Sequence, residues 1–413
     1  MKVLNLKMAN KNLYYMQKAV ELAERGRGRT SPNPMVGAVI VKNNSSGVGE
    51  GFHARAGESH AEINALRAAG GNAKGATLYT TLEPCCIFGK TPPCTEAIIL
   101  SGISKVLVGL IDPNPKVNGK GVSILKKAGI TVESGFLAEQ IARQNEVYLK
   151  HITTGKPFVL MKVAMSLDGK IAAGNGSGTG SGKEPRNVSA NAPASANAAA
   201  PASAPVRAST NGRKWITGTK SRELVHKIRD EYDAVAVGIG TVFADDPLLT
   251  ARLGAKQTKN PVRIVIDSKG RLPLRSQIVK TAPAVPTILA TTSKIPPTKA
   301  EALNKAGIEV LILPAKDNRV NLKELLKKLG AKGITSILVE GGAGLNSSFL
   351  KDNLVDKFLF FVAPKIFGSS GLSLTGRKTF EGKSAANLKI ASVEKVGEDL
   401  AITCYQSAIK AND

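Results

Sequence analysis

The chain has 413 residues, of which 42% are hydrophobic and 4% aromatic, and its net charge is +25 at pH 7. At about 150 residues per domain, this length predicts two or three domains with cores built from Ile, Leu, Val and Ala. No stretch reaches the ~18 apolar residues of a membrane span, and the N-terminal segment lacks the apolar core of a signal peptide. We therefore expect a cytoplasmic protein without a membrane partner.

The positive charge is spread along the chain. No run of five basic residues occurs, and aromatic residues do not interleave with the lysines. Nucleic-acid binding proteins concentrate their basic residues in a patch or stripe. The pattern favours a solvated basic surface that attracts phosphorylated small molecules. We expect such a substrate and no nucleic-acid partner.

Residues 10–150 alternate between helical and strand patterns. The first helix has apolar residues from Leu13 to Ala23 and can be capped by Asn10 or Asn12. Strands are predicted at 36–41, 77–81, 105–109 and 130–133, and further helices at 61–69, 95–101, 121–128 and 138–150. This alternation predicts a three-layer α/β domain over residues 1–152.

A turn-rich boundary at residues 153–157 precedes a second α/β domain, predicted over residues 156–413. Its strands are predicted at 158–161, 234–237, 262–266, 287–290, 309–313 and 336–339, followed by an antiparallel pair at 357–363 and 401–405. Residues 174–212 contain mainly Gly, Ser, Asn, Ala and Pro. Because this segment offers almost nothing to bury, its ordering entropy cannot be offset. We predict a disordered insertion without catalytic function.

His60, Glu62, Cys85 and Cys94 form the most specific chemical pattern. One imidazole and two thiolates leave the fourth position of a tetrahedral zinc open for water, as in catalytic sites. The metal lowers the pKa of that water toward ~7, and a nearby Glu that is not a ligand can carry its proton to a leaving amine. H-x-E followed by P-C is the pattern of zinc deaminases. A closed zinc knuckle or buried free cysteines would have no use for Glu62.

We expect Ser59 to cap the helix that carries this pattern, with His60 and Glu62 in its first turn.

Longer motifs resemble one family. Residues 31–37 (SPNPMVG), 84–94 (PCCIFGKTPPC) and 112–115 (DPNP) strongly resemble the bifunctional riboflavin-biosynthesis deaminase–reductases. Residues 164–172 (AMSLDGKIA), 215–217 (WIT), 238–242 (GIGTV), 244–247 (ADDP) and 339–344 (VEGGAG) resemble the reductase of the same family. The resemblance implies an α/β protein with an N-terminal cytidine-deaminase-like three-layer α/β/α domain followed by a dihydrofolate-reductase-like α/β domain.

The resemblance also implies two successive reactions, and we expect the protein to be a homo-oligomer. Zn2+ bound by His60, Cys85 and Cys94, with Glu62 as the proton shuttle, would deaminate 2,5-diamino-6-ribosylamino-4(3H)-pyrimidinone 5′-phosphate. NADPH would then reduce the ribosyl group to the ribityl chain of 5-amino-6-ribitylamino-uracil 5′-phosphate. Arginine suits the phosphate group of these substrates because its planar fork binds oxygen atoms bidentately.

The residue roles implied by the resemblance fall into three groups. Those facing the deaminase substrate are Asn33, His53 and Lys90. Those along NADPH are Ala164, Trp215, Thr217, Thr241, Asp245, Ser268, Gly342, Ala343, Gly344, Leu345, Asn346, Ser347 and Ser348. Those holding the phosphoribosyl substrate of the reductase are Arg213, Arg229, Leu249, Arg252 and Glu340.

Two positions depart from the pattern of the family. Cys86 and Ile87 stand where it usually has Ser-His, so either another group replaces that His or deamination is weakened, and Cys86 offers an alternative thiolate. Arg213 stands where a small polar residue is frequent. One alternative is therefore a reductase with an impaired deaminase domain. The other, a nucleic-acid deaminase, is opposed by the wide Cys85–Cys94 spacing, because such enzymes typically have P-C-x-x-C.

Overall fold

The computed structural model describes residues 2–42, 47–88, 92–173, 215–254, 258–376, 379 and 385–406, with side chains from residue 11 onward. The predicted disordered insertion at 174–212 and the candidate residues Lys90 and Arg213 lie outside the described residues. Within the described part, none of the helices has the length and apolar character needed to cross a bilayer. Two large sheets organise the chain.

The N-terminal domain contains a five-stranded sheet of order β2-β1-β3-β4-β5. Its strands are β1 (Gly37–Val41), β2 (Gly49–Phe52), β3 (Thr77–Leu82), β4 (Lys105–Leu110) and β5 (Thr131–Ser134). Its helices are α1 (Lys2–Glu24), α2 (Ala61–Ala69), α3 (Cys94–Leu100), α4 (Lys120–Lys127), α5 (Ala138–Gln144) and α6 (Glu146–Thr154). Strand β1 pairs antiparallel with β2 and β3, whereas β3, β4 and β5 are parallel.

Both faces of this sheet are covered. Because successive side chains of a strand point to opposite faces, Ala38 and Ile40 pack with α2, α3, α4 and α6, while Val39 and Val41 pack with α1 and α5. Gly49 and Gly51 let α2 lie directly on β2, since a Cβ at either position would come within 2.3 Å of a backbone oxygen of α2. The predicted three-layer arrangement is confirmed.

The C-terminal domain contains a nine-stranded sheet of order β11-β10-β9-β8-β14-β6-β15-β18-β17, and β12-β13 and β16-β7 form two small sheets. Its strands are β6 (Phe158–Ser166), β7 (Lys170–Ala172), β8 (Ala234–Gly238), β9 (Val262–Ile266), β10 (Thr287–Thr291), β11 (Ile308–Ile312), β12 (Ala315–Lys316), β13 (Arg319–Val320), β14 (Ser336–Val339), β15 (Lys357–Ala363), β16 (Leu372–Ser373), β17 (Leu388–Val396) and β18 (Asp399–Gln406). Its helices are α7 (Thr219–Glu231), α8 (Ile239–Asp245), α9 (Gln277–Lys280), α10 (Pro297–Lys305), α11 (Leu322–Ala331) and α12 (Ala343–Lys351).

The seven strands β11, β10, β9, β8, β14, β6 and β15, in their order across the large sheet, are parallel. The predicted antiparallel pairing of β15 with β18 is confirmed. Val159 and Met161 of β6 pack under α11 and α12, whereas Phe158 and Leu160 pack under α7 to α10. The carboxyl ends of the parallel strands meet at one edge of the sheet, where ligands bind in open α/β folds.

Several predicted boundaries were wrong. Helix α1 begins at Lys2 and not at a cap by Asn10 or Asn12. The helix predicted at 138–150 is two helices that meet at Asn145, whose backbone leaves the helical conformation (φ −104°, ψ 19°). The Asn145 side chain accepts from the Met35 amide at 2.8 Å and donates to the Met35 carbonyl at 3.0 Å. Strands β2 and β17 were missed, since β2 alternates Gly with other residues and β17 is mostly exposed.

Arg263, on the interior strand β9, is fully buried. Burial lowers the pKa of its guanidinium to about 10. The group is held by neutral acceptors within 3.3 Å, which are the hydroxyls of Thr281 and Thr287 and the carbonyls of Leu248, Ile278 and Val285. One side chain therefore satisfies the polar atoms of several connecting segments under the sheet.

Arg263→Met should destabilise the protein by about 3 kcal/mol or more, because each buried acceptor left without a partner costs roughly 1–3 kcal/mol. Urea denaturation of the full chain measures the change. Arg271→Met is the matched control, since this half-exposed arginine pairs with Asp267 at 3.4 Å and lies over the Phe243 ring at 5.7 Å, and its loss should matter by less than about 1 kcal/mol. Equal stability of the two variants would contradict the role given to Arg263.

Candidate active sites

The first site is built at the N-terminus of α2. His60 is the N-cap residue, with extended backbone and no capping hydrogen bond from its side chain, and Glu62 lies in the first turn. The predicted cap by Ser59 was wrong. The Ser59 hydroxyl accepts instead from Arg67 at 2.9 Å, and the Ser59 carbonyl accepts from Asn64 at 3.3 Å.

The two cysteines come from opposite ends of one loop. Cys85 follows β3, and Cys94 is the first residue of α3. The loop closes on itself because the Cys94 amide donates to the Cys85 sulfur at 3.3 Å and the Thr95 amide donates to the Cys85 carbonyl at 3.2 Å. A separation of eight residues in sequence thus becomes a contact in space.

His60, Cys85 and Cys94 offer ligand atoms that all lie within 4.8 Å of one another, and Cys86 is not one of the three. His60 Nδ1 lies 3.3 Å from Cys94 Sγ and 3.4 Å from Cys85 Sγ. Tetrahedral zinc, with bonds of about 2.1 Å to nitrogen and about 2.3 Å to sulfur, requires N···S separations of ~3.6 Å. The donor set and its spacing therefore fit a zinc ion with one position left for water.

The surroundings of these residues favour a thiolate at Cys85 and a readily protonated carboxyl group at Glu62. The hydrogen bond from the Cys94 thiol, reinforced by His60, holds the pKa of Cys85 far below that of an ordinary thiol. Burial raises the pKa of Glu62 to about 7. A carboxyl group with such a pKa can take up and return a proton near neutral pH.

Asn33 and His53 lie beside this centre. The His53 ring packs edge-on against the His60 ring, with 5.3 Å between centroids. His53 Nδ1 lies 3.2 Å from the Ser59 carbonyl, and His53 Nε2 lies 3.2 Å from the Asn33 amide nitrogen. Burial lowers the pKa of His53, which favours a neutral ring that donates through Nδ1 and accepts through Nε2.

Glu83 was missed by the sequence reasoning. This buried carboxylate accepts from the amides of Asp112, Gly119 and Val122 at 2.9–3.2 Å. It thereby ties the segment before Cys85 to residues 112–122, which include the DPNP motif. A signal was available, because an acidic residue between a buried strand and Pro-Cys has to find hydrogen-bond partners.

The second site lies at the carboxyl edge of the nine-stranded sheet. Thr241 and Asp245 belong to α8, which follows β8, Ser268 lies just beyond β9, and Ala164 is near the end of β6. Residues 342–348 form the N-cap and first turns of α12 directly after β14. The backbones of Trp215 and Ile216 accept from Lys365, which follows β15, and Thr217 is buried nearby. The structure thus brings the described NADPH candidates to neighbouring strand ends.

Glu340, at the end of β14, is the centre of the charges at this edge. Arg229 reaches its two carboxylate oxygens at 2.6 and 3.0 Å, and Lys162 reaches one of them at 2.9 Å. Although burial opposes ionisation, the Lys162 and Arg229 cations hold the pKa of Glu340 well below its ordinary value. Lys162 was also missed, although a lysine inside the apolar strand β6 needs a partner for its charge.

The remaining reductase candidates adjoin this cluster. The Thr250 carbonyl accepts from Arg229 at 3.2 Å, and the Thr250 hydroxyl accepts from Arg252 at 3.3 Å. Leu249 precedes Thr250 in a left-handed conformation and is buried. His226, another residue that the sequence reasoning missed, lies 3.4 Å from Arg252.

Comparisons with known proteins define the class. Residues 9–110 match the zinc-binding region of cytidine and deoxycytidylate deaminases, and residues 157–402 match the RibD C-terminal domain. The protein is an enzyme with a deaminase domain followed by a reductase domain. The chain belongs to the RibD family, the bifunctional deaminase–reductases of riboflavin biosynthesis.

Individual relatives agree with this assignment. The chain is 40% identical to the riboflavin biosynthesis protein RibD of Actinobacillus pleuropneumoniae, over 94% of each chain. It is 42% identical to RibD of Aquifex aeolicus, over 94% of this chain and 96% of that one. Among solved structures, Acinetobacter baumannii RibD superposes with a TM-score of 0.79 at 35% identity, covering 97% of this chain and 100% of that chain.

A second similar solved structure is that of a diaminohydroxyphosphoribosylaminopyrimidine deaminase/5-amino-6-(5-phosphoribosylamino)uracil reductase from Thermotoga maritima. It superposes with a TM-score of 0.77 at 34% identity and covers 97% of this chain and 100% of that chain.

Cys85→Ser should lose zinc, whereas Cys86→Ser should keep it, because of these two neighbouring cysteines only Cys85 places its sulfur with His60 Nδ1 and Cys94 Sγ. Metal analysis of the two purified variants measures the difference, with Cys404→Ser as a control for the loss of a cysteine elsewhere. Retention of zinc by Cys85→Ser together with its loss from Cys86→Ser would move the ligand by one position and imply a different loop conformation.

Proposed function

We propose that the chain deaminates 2,5-diamino-6-ribosylamino-4(3H)-pyrimidinone 5′-phosphate and then reduces the product with NADPH to 5-amino-6-ribitylamino-uracil 5′-phosphate. The observation that carries the proposal is the convergence of His60, Cys85 and Cys94 beside the buried Glu62. The named reactions of the Thermotoga maritima relative support the choice of substrates. We place these reactions in the cytoplasm and assign the protein no nucleic-acid partner.

In the deaminase site, His60, Cys85 and Cys94 would hold zinc, which supplies an activated water. Glu62 would accept a proton from the attacking water and donate it to the amino group, which would leave as ammonia. Asn33 and His53 border the same space and orient the pyrimidine ring. Lys90 remains a candidate for contact with the substrate, on its motif alone.

In the reductase site, NADPH supplies the hydride and the chain supplies orientation and charge. The amides at the N-terminus of α12, from Gly342 onward, suit the anionic pyrophosphate. Arg229 is already paired with Glu340 through two nitrogens, so its task is to orient that carboxylate. The described contacts of Arg252 are with the Thr250 hydroxyl and the His226 ring, which are neutral partners. Its guanidinium charge is therefore available to bind the substrate phosphate. Arg213 stays a candidate by motif.

The alternative of a reductase with an impaired deaminase domain rests on Ile87, which replaces the usual His. The intact spacing of His60, Glu62, Cys85 and Cys94 favours an active deaminase. Mass analysis of products decides between the two: with substrate alone, an active deaminase replaces the amino group with oxygen, and adding NADPH adds two hydrogens to that product. An impaired deaminase leaves the substrate unchanged but reduces deaminated substrate when it is supplied.

Glu62→Gln should slow deamination by at least ~10²-fold, the usual scale for loss of a general acid–base group. Zinc content and reduction of supplied deaminated substrate should persist, because Glu62 is neither a proposed metal ligand nor part of the reductase domain. Steady-state kinetics of both half-reactions measures the effect. Undiminished deamination would remove Glu62 from the mechanism.

We also propose that the protein is a homo-oligomer in which edge strand β17 contacts a second copy. Its Ile390 and Val393 are 61% and 54% exposed. They pair with Cys404 and Ile402, whose side chains belong to the core under the sheet. The apolar face of the sheet therefore continues past its covering helices, and exposed apolar edges are typical of interfaces.

Replacing Ile390 and Val393 together by Lys should lower the mass measured by light scattering to that of the single chain. The reason is that a charge in an apolar interface cannot be buried without a partner. Lys389→Ala, on the same strand but paired with Tyr405, should keep the mass of the native protein. An unchanged mass in the double variant would place the interface elsewhere.

A further inference from the structure

The turn that carries Asn33 is anchored outside its own domain. The Ser31 hydroxyl donates to Asp233 Oδ2 at 2.7 Å and lies 3.0 Å from the Thr335 hydroxyl. Arg29, two residues earlier, donates to Asp230 Oδ2 at 2.8 Å. Asp230, Asp233 and Thr335 all belong to the reductase domain, so the segment before Asn33 is held from the other side of the domain boundary.

Asp233 is a rigid anchor. It is 8% exposed and immediately precedes β8. It also accepts from the Thr335 amide at 2.9 Å, the Thr335 hydroxyl at 2.7 Å and the Lys259 ammonium at 2.8 Å. Because β8 and β14 are neighbours in the centre of the sheet, their starts are fixed by the reductase core, and Asp233 presents its carboxylate to Ser31 from that fixed base.

The backbones of the two domains also touch here. Gly28 has a positive φ of 72°, and a Cβ at this position would lie 2.8 Å from the Cα of Glu231, the last residue of α7. The contact therefore leaves no room for intervening solvent. Close packing at Gly28 and hydrogen bonds at Ser31 hold the same turn independently.

From Ser31 the connections continue into the deaminase site. The backbone N–H of Asn33 donates to the Thr30 carbonyl at 2.7 Å and closes the turn around Ser31. The Asn33 side chain then contacts His53, which packs against the zinc-ligand candidate His60. A shift of Ser31 would therefore displace Asn33 and His53, the two side chains proposed to face the pyrimidine.

We propose that Asp233 of the reductase domain is a positioning residue of the deaminase site, holding Ser31 and through it the Asn33–His53 pair in the orientation that binds substrate. The inference rests on the proposed deamination. Without the anchor, the turn spends only part of its time in the binding orientation, and apparent affinity falls in proportion to that fraction. The chemistry at Glu62 is untouched, so the Michaelis constant should change more than kcat.

Ser31→Ala and Asp233→Asn should each raise the KM for deamination roughly tenfold, the loss expected for a hydrogen bond to a charged group. The kcat of deamination, the zinc content and the kinetics of reduction should stay within about twofold. Asp356→Asn is the matched control, because Asp356 pairs with Lys150 across the same domain boundary but away from Asn33. It should leave all of these values unchanged.

The double variant tests whether the two residues act as one unit. Its KM should equal that of the larger single variant, since contacting groups are not additive. If both single variants keep the native KM, or if the double variant multiplies the two effects, the proposal is overturned. Should Asp233→Asn fail to fold, Ser31→Ala decides alone, because it removes one hydroxyl from the deaminase side.

A second readout does not depend on turnover. The chain has four histidines, so ring signals of ¹⁵N-histidine-labelled protein can be assigned by single substitutions. The His53 signals should move in Ser31→Ala and Asp233→Asn but not in Asp356→Asn. Native His53 signals in both anchor variants overturn the positioning role even if the wild-type protein does not deaminate, whereas absent wild-type deamination by itself refutes the proposed function.

Discussion

The deaminase half depends on bringing one imidazole and two sulfur atoms within 4.8 Å of one another. The three side chains come from different elements, and each is held by backbone packing. Gly49 and Gly51 let α2 lie on β2, which fixes His60. The hydrogen bonds that close the loop between Cys85 and α3 fix the two sulfurs. A preformed site of this kind loses little entropy when a metal binds.

In the reductase domain, the corresponding constraint is the charge of one buried carboxylate. Glu340 is a buried carboxylate at the edge where the cofactor candidates meet, and a lone charge there would be costly. Lys162 from one neighbouring strand and Arg229 from α7 both reach it. The two cations of this cluster outnumber its one anion, which suits the binding of phosphorylated small molecules.

The two domains contact each other through several hydrogen bonds and ion pairs. Polar contacts cross it at Arg29–Asp230, Ser31–Asp233 and Lys150–Asp356, as well as at Glu146, which accepts from Lys357 at 2.7 Å and from Tyr405 at 2.7 Å. The contacts at Ser31 lie close to both sites, because Asn33 is two residues away in one domain and Arg229 precedes Asp230 in the other. The two domains are therefore joined by specific polar contacts as well as by the chain between them.

The sequence by itself determined the class of fold and the chemistry. Apolar runs located most strands within one residue, as at residues 262–266 and 336–339, because buried parallel strands are almost continuously hydrophobic. The spacing of His60, Glu62, Cys85 and Cys94 indicated a zinc deaminase, because zinc accepts few ligand types in one geometry. Only the tertiary structure decided what Glu83, Lys162, Ser31 and Asp233 do. Their partners are distant in sequence, and a single charged or hydroxyl residue carries no periodic signal that could reveal which distant atom it will meet.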